Sequence, residues 1–158
     1  MTNLTAQHIE RPARRALRAA GWANIAIAAA HVIGLIWAWS MFRAVGIEAE
    51  MRELATLGAA LPYVLTLVTA AAFAAFGLYG LAGAGDLRRL PLLRAGLVTI
   101  AVIYLSRATV YEGIAAVRDG DAAQIAFAAI ALAIGLCYAY GAVAHRRVRT
   151  AARTAPAS

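Results

Sequence analysis

Four stretches of the chain, residues 21–42, 61–83, 92–117 and 122–144, are predominantly apolar and rich in Ala, Leu and Val. At a rise of about 1.5 Å per residue, some 20 helical residues cross the roughly 30 Å hydrocarbon core of a bilayer, and each stretch is at least that long. In lipid a lone apolar segment pairs its own N–H and C=O groups only as a helix. The pattern therefore predicts an all-α, polytopic membrane protein, a four-transmembrane-helix bundle. The first stretch exceeds the roughly 7–15 residue core of a cleaved signal and reads as a retained span.

Between the first two stretches the period changes. In "GIEAEMRELATLGA" Ile47, Met51, Leu54 and Gly58 fall on one helical face, while Glu48, Glu50, Arg52 and Glu53 lie mostly elsewhere. This predicts a short amphipathic helix between spans one and two, lying on the membrane surface or capping the bundle. Within the spans, small residues recur at helical spacing: Ala26, Ala30, Gly34 and Ala38 in the first, Gly77, Gly80 and Gly83 in the second, and Ala129, Ala133, Cys137 and Gly141 in the fourth. Small residues let helix backbones approach in lipid, so Ala26, Ala30, Gly34, Gly77, Gly80 and Gly83 are the expected packing positions, within the bundle or toward another copy or subunit.

The charges sit at the ends of these stretches. Arg11, Arg14, Arg15 and Arg18 precede span one, Arg88, Arg89 and Arg94 lie between spans two and three, and Arg146, Arg147, Arg149 and Arg153 follow span four. The other two connections are poorer in Arg and hold Glu48, Glu50, Glu53, Asp119 and Asp121. By the positive-inside rule both termini are expected in the cytoplasm. The domain reading is a cytoplasmic Arg-rich tail over 1–20, a four-helix transmembrane domain over 21–145, and a basic, disordered tail over 146–158. The Arg-rich face is expected to meet anionic headgroups, at about 1 kcal/mol per Arg.

Composition sharpens this. The 158 residues are 63% hydrophobic, against about 45–50% apolar for an ordinary soluble domain. All 15 basic residues are Arg, and with the abundant Ala this suggests a GC-rich bacterial genome and an inner-membrane location. The net charge of +7 is divided among span ends rather than forming a stripe on a soluble domain, which argues against nucleic acid as partner. The lone Cys137 offers no disulfide or redox pair. No nucleophile–base pair, phosphate-binding loop, facing haem histidines or metal-ligand cluster is present, so no cofactor and no metal is expected, and an enzyme is the less favoured reading.

Against that background the polar residues inside the spans are the candidate site. Arg107 lies about 22 Å into span three if the span starts at Leu92, within reach of the outer interface, or about 18 Å in, near the midplane, if it starts near Ala95. Tyr104, Arg107 and Tyr111 share a stripe at steps of three and four, whereas Glu112 is displaced round the helix from Arg107. His31 is about 16 Å into span one, and Asn24 is on its face two turns earlier. Asn24, His31, Tyr104, Arg107, Tyr111 and Glu112 are thus the candidate intramembrane binding or relay residues. The alternative for each is a group bonded within the bundle or snorkelling to the surface.

The run from Leu61 to Ala108, with "GAG" at residues 83–85, "LPLLR" at 90–94 and Arg107 after Tyr104, together with "FRAVG" at 42–46, resembles a group of uncharacterised bacterial four-helix inner-membrane proteins. The resemblance implies the fold, draws attention to Arg107 and implies no activity. The expected function is a non-enzymatic accessory or structural subunit, associating through its small-residue faces as a homo-oligomer or in a larger membrane complex. The alternative is a transporter or channel for a small solute, ion or quinone, using the polar residues of spans one and three.

Overall fold

The stripe formed by Ala13, Leu17, Ala20, Asn24 and Ala28 recurs every three or four residues and runs straight through the Arg-rich beginning of the chain. In the computed structural model, which describes residues 10–111, 114 and 122–154, this stripe is buried along a helix, α1 (Arg11–Gly34). Pro12 sits in its first turn, where a missing N–H costs nothing. The helix thus starts ten residues before the expected span, and residues 11–20 form part of the bundle rather than a separate tail. Arg11, Arg15 and Arg18 take the outward side while Ala13 and Leu17 are fully enclosed.

A tight 3-10 turn (Leu35–Trp37) leads from α1 into α2 (Ala38–Ala44), and α3 (Glu48–Leu57) is the short amphipathic helix. Then come α4 (Leu61–Ala84), α5 (Leu93–Ser106) continuing into one π turn (Arg107–Tyr111), and α6 (Ala122–Thr154). Among the described residues, four helical segments are long and apolar enough to cross a membrane: Arg11–Ala44, Leu61–Ala84, Leu93–Val110 and Gln124–Arg147. The chain is an all-α bundle of the multi-pass type. Helix α6 continues to Thr154, through most of the segment expected to be disordered. The expected end of span three, with Glu112 and residues 115–117, lies outside the described residues.

The helices form a ring: α1 packs against α4 and α6, and α5 against α4 and α6. The largest contact is α1 on α4, and glycine explains why. Gly21 lies where α4 presents Gly77 and Gly80, so a methyl group on Gly80 would be 2.8 Å from the Gly21 Cα and one on Gly77 would be 2.9 Å from the Gly21 carbonyl. Close backbone approach of this kind gives dispersion contact where lipid tails provide no hydrophobic drive between helices. Gly83 completes the face against Leu17 and Leu97. The expected ridge of α1 behaves differently: Ala26 and Ala30 are exposed on the outside of the bundle, and the atoms nearest Gly34 belong to the Met41 side chain rather than to another span. Ala129 and Ala133 of α6 are also exposed.

Where α4 ends, its last carbonyls are all satisfied. Gly85, at φ +82°, donates to Ala82, and Asp86 donates to Leu81, closing the turn. Arg14 Nε donates to the Ala84 carbonyl at 2.8 Å and His145 Nε2 to that of Gly83 at 3.0 Å. Positive or polarised donors there also complement the negative end of the helix dipole. Arg18 adds an ion pair to Asp86, with Nε 2.6 Å from Oδ2, and this holds the Asp86 carboxyl below its ordinary value. The start of α1, the end of α4 and the far part of α6 therefore meet at one end of the bundle.

At the other end, α3 folds back beside α2. The Arg52 guanidinium lies 5.1 Å from the Trp39 ring centre, and Glu48 receives hydrogen bonds from Arg43 (2.8 Å) and Arg52 (2.6 Å). Those two partners hold the Glu48 carboxyl down at about 2, from an ordinary 4.5. A lowered carboxylate stabilises above its ordinary value and loses that contribution as pH falls through the folded one. The α3 attachment is therefore expected to be intact at pH 5 and above and to loosen between about pH 4.5 and 2. Protection of the amides of residues 48–57, taken relative to their intrinsic exchange rates at each pH, should fall as pH drops through that window in the wild type and change much less in Glu48→Gln.

Candidate functional site

A carboxamide in the middle of an apolar helix needs partners, because an unbonded buried amide costs roughly 1–3 kcal/mol. Asn24 on α1 is 0% exposed and has partners on every side. Its Nδ2 donates to the Ala20 carbonyl one turn back at 2.9 Å and more weakly to the Tyr138 hydroxyl at 3.3 Å. Its Oδ1 accepts from the Tyr104 hydroxyl at 2.6 Å. The Tyr138 hydroxyl in turn donates to the Phe76 carbonyl at 2.6 Å. One polar network thus joins α1, α4, α5 and α6 at a single level, with each long helix contributing one group.

Aromatic rings fill the space around it. Tyr104 and Tyr138 lie parallel, their centres 6.4 Å apart with 6° between planes, and Phe76 and Phe73 meet Tyr104 at 6.3 and 6.5 Å. Tyr138 is 0% exposed and Tyr104 4%. Gly80 is what lets Tyr138 in: a methyl there would be 2.8 Å from the hydroxyl oxygen. Helix positions, ring stacking and hydrogen bonds all fix the same arrangement. Chemically it is a brace, in which Asn24, Tyr104, Tyr138 and the Phe76 carbonyl supply phenol, amide and backbone groups but no carboxylate, thiolate or imidazole.

Of the six candidate residues, Asn24 and Tyr104 are brought together here. His31 approaches only through its ring, 5.1 Å from Phe73, and its Nδ1 donates to the Ile27 carbonyl of its own helix at 2.8 Å. That nitrogen is committed to the α1 backbone rather than to Arg107. Arg107 closes α5 on an exposed side of the bundle, three residues before the end of the Leu93–Val110 span. With the helix starting at Leu93, it is about 21 Å along, close to the far interface and within snorkelling reach of it. The backbone of Tyr111 ends the π turn, and Glu112 lies outside the described residues.

Tyr104 lies with Leu97, Ile100 and Ala101 on the buried face of α5, whereas Arg107, three residues on at the flank of that face, is exposed, and the π turn begins only there. Tyr138 is the site residue that sequence reasoning missed. Its signal is the helical period: it lies in phase with Ala131, Ile134 and Ala142, all buried, while Tyr140 two residues on points outward. Among the described residues no group of three or more His, Cys, Asp or Glu side chains converges as a metal site.

Comparison with known proteins adds no functional assignment: no family model, no curated protein and no solved structure matches the chain.

Proposed function

We propose that this chain is a multi-pass protein of a bacterial inner membrane with both termini cytoplasmic, and that it serves as a non-enzymatic accessory or structural subunit. The observation that carries the functional part is the use made of the central polar groups. Asn24, Tyr104 and Tyr138 satisfy one another across four helices rather than lining a route for solute, and His31 is bonded to its own backbone. Orientation rests on the Arg distribution, and the fold gathers Arg14 and Arg18 at the end where α1 starts and α4 ends. Contact with a neighbouring subunit is supported by the small, outward faces at Ala26 and Ala30 and at Ala129 and Ala133.

The test is cross-linking in native membranes of Ala30→Cys and Ala133→Cys, each in a Cys137→Ser background. Adducts with a second copy or a distinct protein, absent when cysteine is placed at the enclosed Leu17, are the expected result. A chain that stays monomeric in the membrane and conducts solute in proteoliposomes, with the flux lost in His31→Ala, would overturn the proposal in favour of transport.

A further inference from the structure

Where the start of α1 passes the last turns of α6, the outer surface sinks into a groove of about 330 Å³. Leu136, Ala139, Val143 and Ala144 of α6 line it, and its mouth carries Arg147, with Glu10 at the head of α1 also in the lining. From Leu136 to Arg147 a helix rises about 16 Å, close to the roughly 15 Å depth of one leaflet's hydrocarbon. His145, two residues before Arg147, is bonded to Gly83 at the end of α4, which puts the mouth level with the helix ends. Tyr140 rises along the groove and its hydroxyl approaches Glu10 Oε2 at 3.5 Å. A leaflet-deep apolar channel thus ends in one cation and one anion.

We infer that this groove holds one phospholipid with a zwitterionic, primary-amine headgroup. An acyl chain lies along Leu136 and Val143, the phosphate meets the Arg147 guanidinium, and the ammonium donates to the Glu10 carboxylate. Charge complementarity selects this occupant. Phosphatidylglycerol satisfies Arg147 equally well but brings only neutral hydroxyls, with no cation, to Glu10, and a quaternary choline has no N–H to donate. The inference rests on the chain being membrane-embedded.

The experiment is native mass spectrometry of the full chain titrated with 1-palmitoyl-2-oleoyl phosphatidylethanolamine, and with the phosphatidylcholine and phosphatidylglycerol of the same chains. One ethanolamine lipid is expected to bind at least about fivefold more tightly than either of the others, a preference of the size a charge-assisted hydrogen bond provides. Glu10→Gln should erase the preference, and Val143→Trp, which fills the groove from an exposed position, should remove the bound lipid while circular dichroism is unchanged. Equal affinities, tighter phosphatidylglycerol, or a preference that survives Glu10→Gln would overturn the site. Flotation with liposomes separates the two levels: a chain that floats without headgroup preference refutes the site alone, and one that does not float refutes membrane embedding as well.

Discussion

Asn24→Leu is expected to cost the bundle about 2–4 kcal/mol, at roughly 1–2 kcal/mol for each of the two interhelical hydrogen bonds that Asn24 makes. The substitution replaces the amide with an apolar group of similar reach and improves helix propensity, so what it removes is polar bonding. It takes the acceptor from Tyr104, which donates to it at 2.6 Å, and a donor from Tyr138. Tyr138→Phe should cost less, about 1 kcal/mol. It frees the Phe76 carbonyl but leaves Asn24 bonded to Ala20 and Tyr104. Reversible unfolding in bilayers or mixed micelles, followed by steric trapping, reads both differences. A loss below about 0.5 kcal/mol for Asn24→Leu would mean that the network contributes no stability beyond what packing supplies.

Gly80→Ala is expected to be the most damaging of the small substitutions in the helix contacts, at about 2 kcal/mol or more, although Ala is the better helix former by roughly 1 kcal/mol. The added methyl would meet the Gly21 Cα and the Tyr138 hydroxyl at 2.8 Å and the Leu17 carbonyl at 3.0 Å. Two of those are backbone atoms in a neighbouring helix, so relief requires α1 and α4 to separate along their largest contact. The third is part of the polar network, so Gly80→Ala and Asn24→Leu should be non-additive by about 0.5 kcal/mol or more. Gly34→Ala is the control. The three atoms nearest its methyl all belong to the flexible Met41 side chain, and its midpoint of thermal unfolding should stay close to wild type while that of Gly80→Ala falls.

Much of the architecture is legible in the sequence because the bilayer imposes it. The expected limits of span two match α4 to one residue, since Pro62 begins it and Gly85 stops it. The limits of span one are not legible from its apolar content. Four Arg residues mask the stripe of Ala13, Leu17 and Ala20, which becomes visible only when the spacing of apolar residues is weighed above their number. Small residues are a partial guide. Gly77, Gly80 and Gly83 lie in the interior, but in so Ala-rich a chain the Ala26 and Ala30 ridge carries no mark of which way it faces, and it faces outward. Gly21, the partner of Gly77 and Gly80, is hidden by its place at the apparent start of a span.

The polar site is half legible for a related reason. An Asn or a charged residue stands out in an apolar run, as Asn24, His31 and Arg107 do, whereas Tyr138 reads as one more aromatic residue in "CYAYGA". Which of the conspicuous residues converge depends on where each falls around its helix: Tyr104 shares the buried face of Leu97, Ile100 and Ala101, while Arg107 at the end of α5 falls on an exposed flank near the end of the span.

The central claim is that the polar groups at the heart of the bundle brace it and carry nothing through it. Water-edited solid-state NMR of the unmodified protein in lipid bilayers tests this without a substitution, by timing magnetisation transfer from water to individual side chains. The account predicts that the Asn24 amide and the Tyr138 ring polarise as slowly as the enclosed Leu17 and Leu97, far behind Arg18 and Glu48. Transfer to Asn24 or Tyr138 as fast as to those exposed charges would establish a hydrated interior and contradict it.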